Sequence, residues 1–231
     1  DALHALGRPV KAARAYRECL HLKDLPDHVV HRLARIDAST GRWAEVLTRL
    51  DPLLNRRTTG AEVFALASLA AGKLQQDERA VEICERGLKA HPGAPLLESS
   101  MIIPLHRLGE TGRAEELFTR VTETAPELAE AHFAMGVTRL HDGDDAAAEE
   151  LFEQALMLRE TYPEAYFCLG VIANRRNDFK TALGHFKRAI ELKPDYAEAH
   201  YHIRDTYEGL KDYESAIAAM NRAVQLNPDL E

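Results

Sequence analysis

Cysteine is scarce in this chain of 231 residues, which holds three, Cys19, Cys84 and Cys168. They lie far apart and form no Cys-x-x-Cys pair, so neither a disulfide framework nor a zinc ribbon is indicated, and all three read as small core residues. No apolar run approaches the ~18 to 20 residues that a membrane-spanning helix needs, and residues 1–8 lack the basic-then-apolar order of a secretion signal. Positive charge is also short. The 29 Lys and Arg are outnumbered by 37 Asp and Glu, for a net charge of -8, which argues against nucleic-acid binding because that rests on cations neutralising phosphates. There is no Gly-rich phosphate loop, GxSxG elbow, HExxH helix or recognisable pair of catalytic carboxylates, so no enzymatic activity and no cofactor are expected. Of the eleven histidines, the closest pairs are His28 with His31 and His200 with His202. Only the first has helical i, i+3 spacing, and neither brings a third ligand, so no metal site is expected.

What is present is a balance of 45% hydrophobic and 29% charged residues, the composition of a folded chain. It is organised by repetition. Ala129-Glu130-Ala131-His132, Pro163-Glu164-Ala165-Tyr166 and Ala197-Glu198-Ala199-His200 are similar segments with evenly spaced starts. Phe152, Phe186 and Met220 share one place in that register, as do Ala148, Ala182 and Ala216, and Ala155, Ala189 and Ala223. Within each period, apolar residues recur at spacings of three and four on both sides of a polar turn, which predicts two amphipathic helices. In residues 163–196 the turn is Arg176-Asn177-Asp178, and Pro194 stops the second helix.

With Tyr166, Leu169-Gly170, Ala182, Phe186, Ala189 and Pro194 at their places in this period, the chain resembles the tetratricopeptide repeat family. That family repeats every ~34 residues, the spacing that separates the three segments here. The resemblance covers nearly the whole chain and implies an all-α, right-handed α-solenoid of stacked antiparallel helix pairs. It divides the chain, as a single solenoid over residues 1–231, into a partial unit 1–26 and full units 27–60, 61–94, 95–128, 129–162, 163–196 and 197–230. Because the chain opens inside a unit, a piece of a longer protein is expected, and its compartment stays open with the cytoplasm favoured.

Three departures from the family pattern carry expectations. Pro104 falls inside a first helix and predicts a bent or shortened one. Ile102 and Arg204 stand where glycine is usual, and Arg204 predicts loose packing in the last unit. Trp43, the single tryptophan, is expected to be core.

The resemblance also implies that repeat positions 2, 5, 9, 12 and 13 of the first helices face a ligand groove. In the C-terminal half these positions hold Phe133, Val137, Leu140, Phe167, Val171, Asn174, Arg175, Tyr201 and Asp205. Phe133, Phe167 and Tyr201 share position 5, where they suggest an aromatic ladder. Neither the Lys/Asn/Arg carboxylate clamp of chaperone-tail binders nor the asparagine ladder of O-linked sugar transferases is found at the matching positions. Three functions stay open: a scaffold that takes a protein or peptide in the concave groove, the targeting domain of a larger glycosyl- or sulfotransferase, or an array that self-associates. No membrane contact is expected of any of them.

Overall fold

The computed structural model describes residues 25–56 and 58–227. Cys19 and nearly all of the partial unit 1–26 lie outside the described residues. The chain divides into two compact units, Asp1–Thr119 and Arg120–Glu231. The first contains α1 (Asp27–Ser39), α2 (Trp43–Leu50), α3 (Ala61–Lys73), α4 (Asp77–Ala90) and α5 (Pro95–Arg107). α6 (Thr111–Thr124) runs across the division. The second contains α7 (Ala129–His141), α8 (Asp145–Leu158), α9 (Pro163–Arg175), α10 (Phe179–Leu192), α11 (Ala197–Gly209) and α12 (Tyr213–Leu226). All twelve elements among the described residues are helices, and within each unit they pack as antiparallel pairs with each pair stacked on the next. The class is therefore the all-α solenoid. No helix among the described residues is long and apolar enough to cross a membrane.

The odd-numbered helices share one length and begin at evenly spaced positions, from Asp27 to Ala197, and each ends in the same way. Gly41, Gln75, Gly109, Gly143, Asn177 and Lys211, which are related by the repeat, all take positive φ between 59° and 81°. This left-handed residue reverses the chain so that the next amide donates back into the helix, as from Asp178 to the Ala173 carbonyl at 2.9 Å. In the second unit the residue that donates also caps the next helix. The carboxylates of Asp144, Asp178 and Asp212 accept from the amides of Ala147, Thr181 and Ser215 at 3.1, 3.2 and 3.2 Å. Arg42 and Gln76 hold that place in the first unit and make no side-chain cap.

Within a pair, the helices meet where one residue of the first helix faces one of the second. Phe152 and Phe186 are fully buried because Gly136 and Gly170 face them, and a Cβ on either glycine would lie 2.7 or 2.8 Å from the ring. At the equivalent places of the first unit stand Ala34 with Leu50 and Ser68 with Cys84, all buried. Burial pushes the Cys84 thiol up to about 12, leaving it protonated and inert. Cys168 is buried as well.

Two expectations need correction. α5 is not shortened: it runs its thirteen residues through Pro104, giving up the one helical hydrogen bond to the Ser100 carbonyl. Ile102 is fully buried, and the ring of Phe118 in the same unit is only half-buried. Arg204 does not loosen the last pair. Its guanidinium turns aside to pair with Asp205 at 2.6 Å, Met220 replaces the phenylalanine, and α11 and α12 pack as closely as α9 and α10.

Successive pairs are joined at a second recurrent contact, from the start of one second helix to the end of the following first helix. Asp77 meets Arg107 at 3.4 Å, and Asp145 meets Arg175 at 2.8 Å. At the equivalent places the ammonium of Lys73 lies 6.0 Å over the ring of Trp43, and Phe179 packs against Gly209. Trp43 is thus half-buried in a joint between repeats and not in the core of its own pair.

Candidate functional site

The nine residues proposed for the groove lie on α7, α9 and α11, all in the second unit. Val137, Leu140 and Val171 are half-buried on those helices, with their inner sides against the cores around Phe152 and Phe186. They leave an apolar surface that the unit does not fully cover.

Phe133 and Phe167 are also half-buried, and each is tied to the loop entering the next repeat. Phe133 lies 4.8 Å from Tyr162 and 5.7 Å from Phe152. Phe167 lies 5.2 Å from Tyr196 and 5.9 Å from Phe186. These spacings are those of packed aromatic pairs. The two rings therefore cement neighbouring repeats and show only part of their surface. His202 inserts next in the row, edge-on to both Phe167 at 5.2 Å and Tyr201 at 5.5 Å. Burial among these rings lowers the His202 pKa, an effect that Asp205 partly offsets. Tyr201 carries the Arg204 guanidinium 4.7 Å over its ring.

The polar members of the set are engaged within the fold. Arg175 donates to Asp145 at 2.8 Å and to the Leu140 carbonyl at 3.4 Å, although its side chain remains exposed. Asn174 accepts from the Thr206 hydroxyl at 2.9 Å. Asp205 accepts from Arg204. These three can give a ligand only the hydrogen-bonding capacity that remains.

Four residues tied to these rings escape the helical stripe because they lie in the connections between repeats, and two of them, Tyr162 and Tyr196, are buried. The Arg159 guanidinium stacks 3.6 Å over Tyr162 and binds Glu130 at 2.6 Å. The Lys193 ammonium lies 4.4 Å over Tyr196 and 3.7 Å from Glu164. Burial raises the pKa of both tyrosines, so they stay neutral hydrogen-bonding rings. A signal was available, since Arg159 and Lys193, like Tyr162 and Tyr196, are one repeat period apart. In the first unit the matching stripe is less aromatic. Position 5 holds His31, Ala65 and Ser99, and Leu69 is its one large exposed apolar residue among the described ones.

Solved structures with the same fold include MamA, with a TM-score of 0.53 and 20% identity over 70% of this chain and 95% of that one. The Cut9-Hcn1 hetero-tetramer of the APC/C superposes with a TM-score of 0.66 at 18% identity, covering 96% of this chain and 44% of that one. YrrB, described as a TPR protein with an unusual peptide-binding site, matches with a TM-score of 0.50 and 19% identity over 74% and 88% of the two chains. Among curated proteins no sequence matches. Two family models, both described as tetratricopeptide repeat, match residues 105–166 and 173–231. Together they span a little over half of the sequence, in the register that the helix pairs follow, and the chain belongs to the tetratricopeptide repeat family.

Proposed function

We propose that the chain is a protein-interaction scaffold whose second unit holds a segment of a partner protein along α7, α9 and α11. The observation that carries this reading is the partly exposed row of Val137, Leu140 and Val171, an apolar strip on successive first helices above a closed core. Apolar strips of this kind, edged by polar residues, mark contact surfaces. Phe133, Phe167 and Tyr201 supply aromatic edges to the strip, while Asn174, Arg175 and Asp205 form its polar margin. YrrB, which shares the fold, offers a precedent for peptide binding on helix pairs.

The test begins with selection of peptides from a displayed random library on the full chain. A selected peptide is then titrated against Val171→Lys, whose apolar stem keeps the contact with the core while its charge is carried out into the strip. Affinity should fall at least about tenfold, as at an interface centre, with the melting temperature nearly unchanged. Undiminished affinity, or failure to select any peptide, would overturn the reading. Selection of this chain's own sequences would direct it toward self-association.

A further inference from the structure

One structural motif is built twice in the second unit and left half-built a third time. In its first copy Glu130 and Phe133, one turn apart on α7, receive Arg159 and Tyr162 from the loop that follows α8. The cation binds the carboxylate and lies over the tyrosine, and the tyrosine packs on the phenylalanine. In its second copy Glu164 and Phe167 of α9 receive Lys193 and Tyr196 in the same arrangement. Each time the incoming element is a basic residue followed three positions later by tyrosine.

α11 repeats the receiving half with Glu198 and Tyr201, again one turn apart on one helical face. The cation is missing, because its place in the register is taken by the neutral Asn227. Leu230, at the tyrosine's place, lies outside the described residues. Arg204 lies 4.7 Å over one face of the Tyr201 ring, but its guanidinium binds Asp205 at 2.6 Å and reaches toward Glu208 at 3.8 Å. The carboxylate of Glu198 therefore receives no cation from it, and a partner's tyrosine would meet the rest of the ring. Glu198 is exposed and has no ion pair among the described residues. Glu198, Asp205 and Glu208 together outweigh Arg204, so this end of the strip is acidic.

Resting on the strip as a partner-binding surface, we propose that Glu198 and Tyr201 receive from the partner a Lys-x-x-Tyr or Arg-x-x-Tyr segment. The chain's own two copies define that chemistry. A carboxylate attracts the cation, the segment's tyrosine shields it from one side, and the ring on the helix completes the stack. The acidic surface selects a basic residue over a neutral one.

The probe is a rhodamine-labelled peptide that keeps the lysine and tyrosine of residues 193–196 and replaces their acidic neighbours by alanine, Ala-Leu-Lys-Pro-Ala-Tyr-Ala, titrated into the full chain at low salt by fluorescence anisotropy. Saturable binding is expected. It should weaken about tenfold when the peptide's lysine is replaced by glutamine, and equally with Glu198→Gln in the protein, as for loss of one charge-assisted contact. Glu164→Gln, at a copy already filled from within, should leave the affinity unchanged. No saturable binding, or equal affinities for Glu198→Gln and the unaltered protein, overturns the proposal. Val137→Asp separates the two readings, because it disrupts the strip far from Glu198. A library-selected peptide that responds to Val137→Asp, beside a probe indifferent to Glu198→Gln, leaves the strip standing and removes only this inference.

Discussion

The two compact units solve the same packing problem with different residues. The second closes α7 with α8 and α9 with α10 by glycine against phenylalanine, and starts all three of its second helices with an aspartate cap. The first closes them with alanine against leucine or serine against cysteine, and has no such cap on α2 or α4. It also buries a carboxylate: Asp37 on α1 binds Arg42 at 2.5 Å and Arg49 at 2.7 Å. What the repeat keeps is a contact at each of these places, within a pair and at the joint between pairs, not the residue type on either side.

That difference can be broken at its strongest point. Phe186→Ala should cost about 3 to 5 kcal/mol by leaving a large cavity. Cys84→Ala at the equivalent place in the first unit removes one heavy atom and should cost only about 1 kcal/mol. Urea unfolding of both variants checks the contrast, which equal losses would abolish. Next in size, Gly170→Ala should cost about 1 to 3 kcal/mol by driving a methyl into Phe186. Combining it with Phe186→Leu recreates the Ala34 and Leu50 pair, and the double variant should be less destabilised than the two single losses added together. A double-mutant cycle showing simple additivity would mean that the two positions are not matched in volume.

Acid should also distinguish the units. Burial lowers the pKa of His132, His185, His200 and His202 in the second unit and of His31 among the first unit's described residues. For a histidine whose folded pKa is depressed, the unfolded chain takes up the proton first. Stability is therefore intact above the ordinary value of 6.5 and falls as the pH drops from there toward the folded pKa. Hydrogen exchange at pH 7 and pH 5.5 should show protection lost more steeply in residues 129–227 than in residues 27–119, and equal loss would count against it. The aspartate caps titrate lower. Hydrogen bonds to Thr181 and Ser215 hold Asp178 and Asp212 below the ordinary 3.8, so their contribution persists until the pH falls below that value.

The smallest effect concerns the chain reversals. Lys211 and Gln75 occupy a left-handed conformation that Gly143 takes without strain. Lys211→Gly should stabilise by about 0.5 to 1 kcal/mol, whereas Gly143→Lys should destabilise by a similar amount. Thermal melts that shift the same way for both would show that the reversal is not what limits these turns.

Much of this architecture was legible in the sequence because it follows from periodicity. The helix pairs, the glycine facing Phe186 and the stop before Pro194 all come from places that recur once in each period, filled in residues 163–196 by the family's usual residues. Pro104 does not shorten its helix, because the ladder continues past it, with the Leu108 amide donating to the Pro104 carbonyl at 3.0 Å. The site was only partly legible. A helical stripe identifies Val137 and Val171 by their face, but it cannot show that Arg175 is held by Asp145 from the preceding repeat, or that Tyr162 and Tyr196 close over the phenylalanines from outside the helices. Those contacts belong to the joints, where each repeat contributes half.

Joints written half in each repeat set rules for how a gene encoding such a chain can change length. Excising residues 163–196 would bring Asp145 opposite Gly209, so a carboxylate that now faces a guanidinium would face no side chain at all. Duplicating the same residues would instead set Phe179 opposite a copy of Arg175, a ring beneath a cation, much as Trp43 already meets Lys73. Growth by one repeat at this point should therefore be tolerated better than loss of one, and the melting temperatures of the two recombinants would show whether it is. Descent by duplication thus meets a chemical grammar, in which a new repeat must agree with its neighbour before it can be kept.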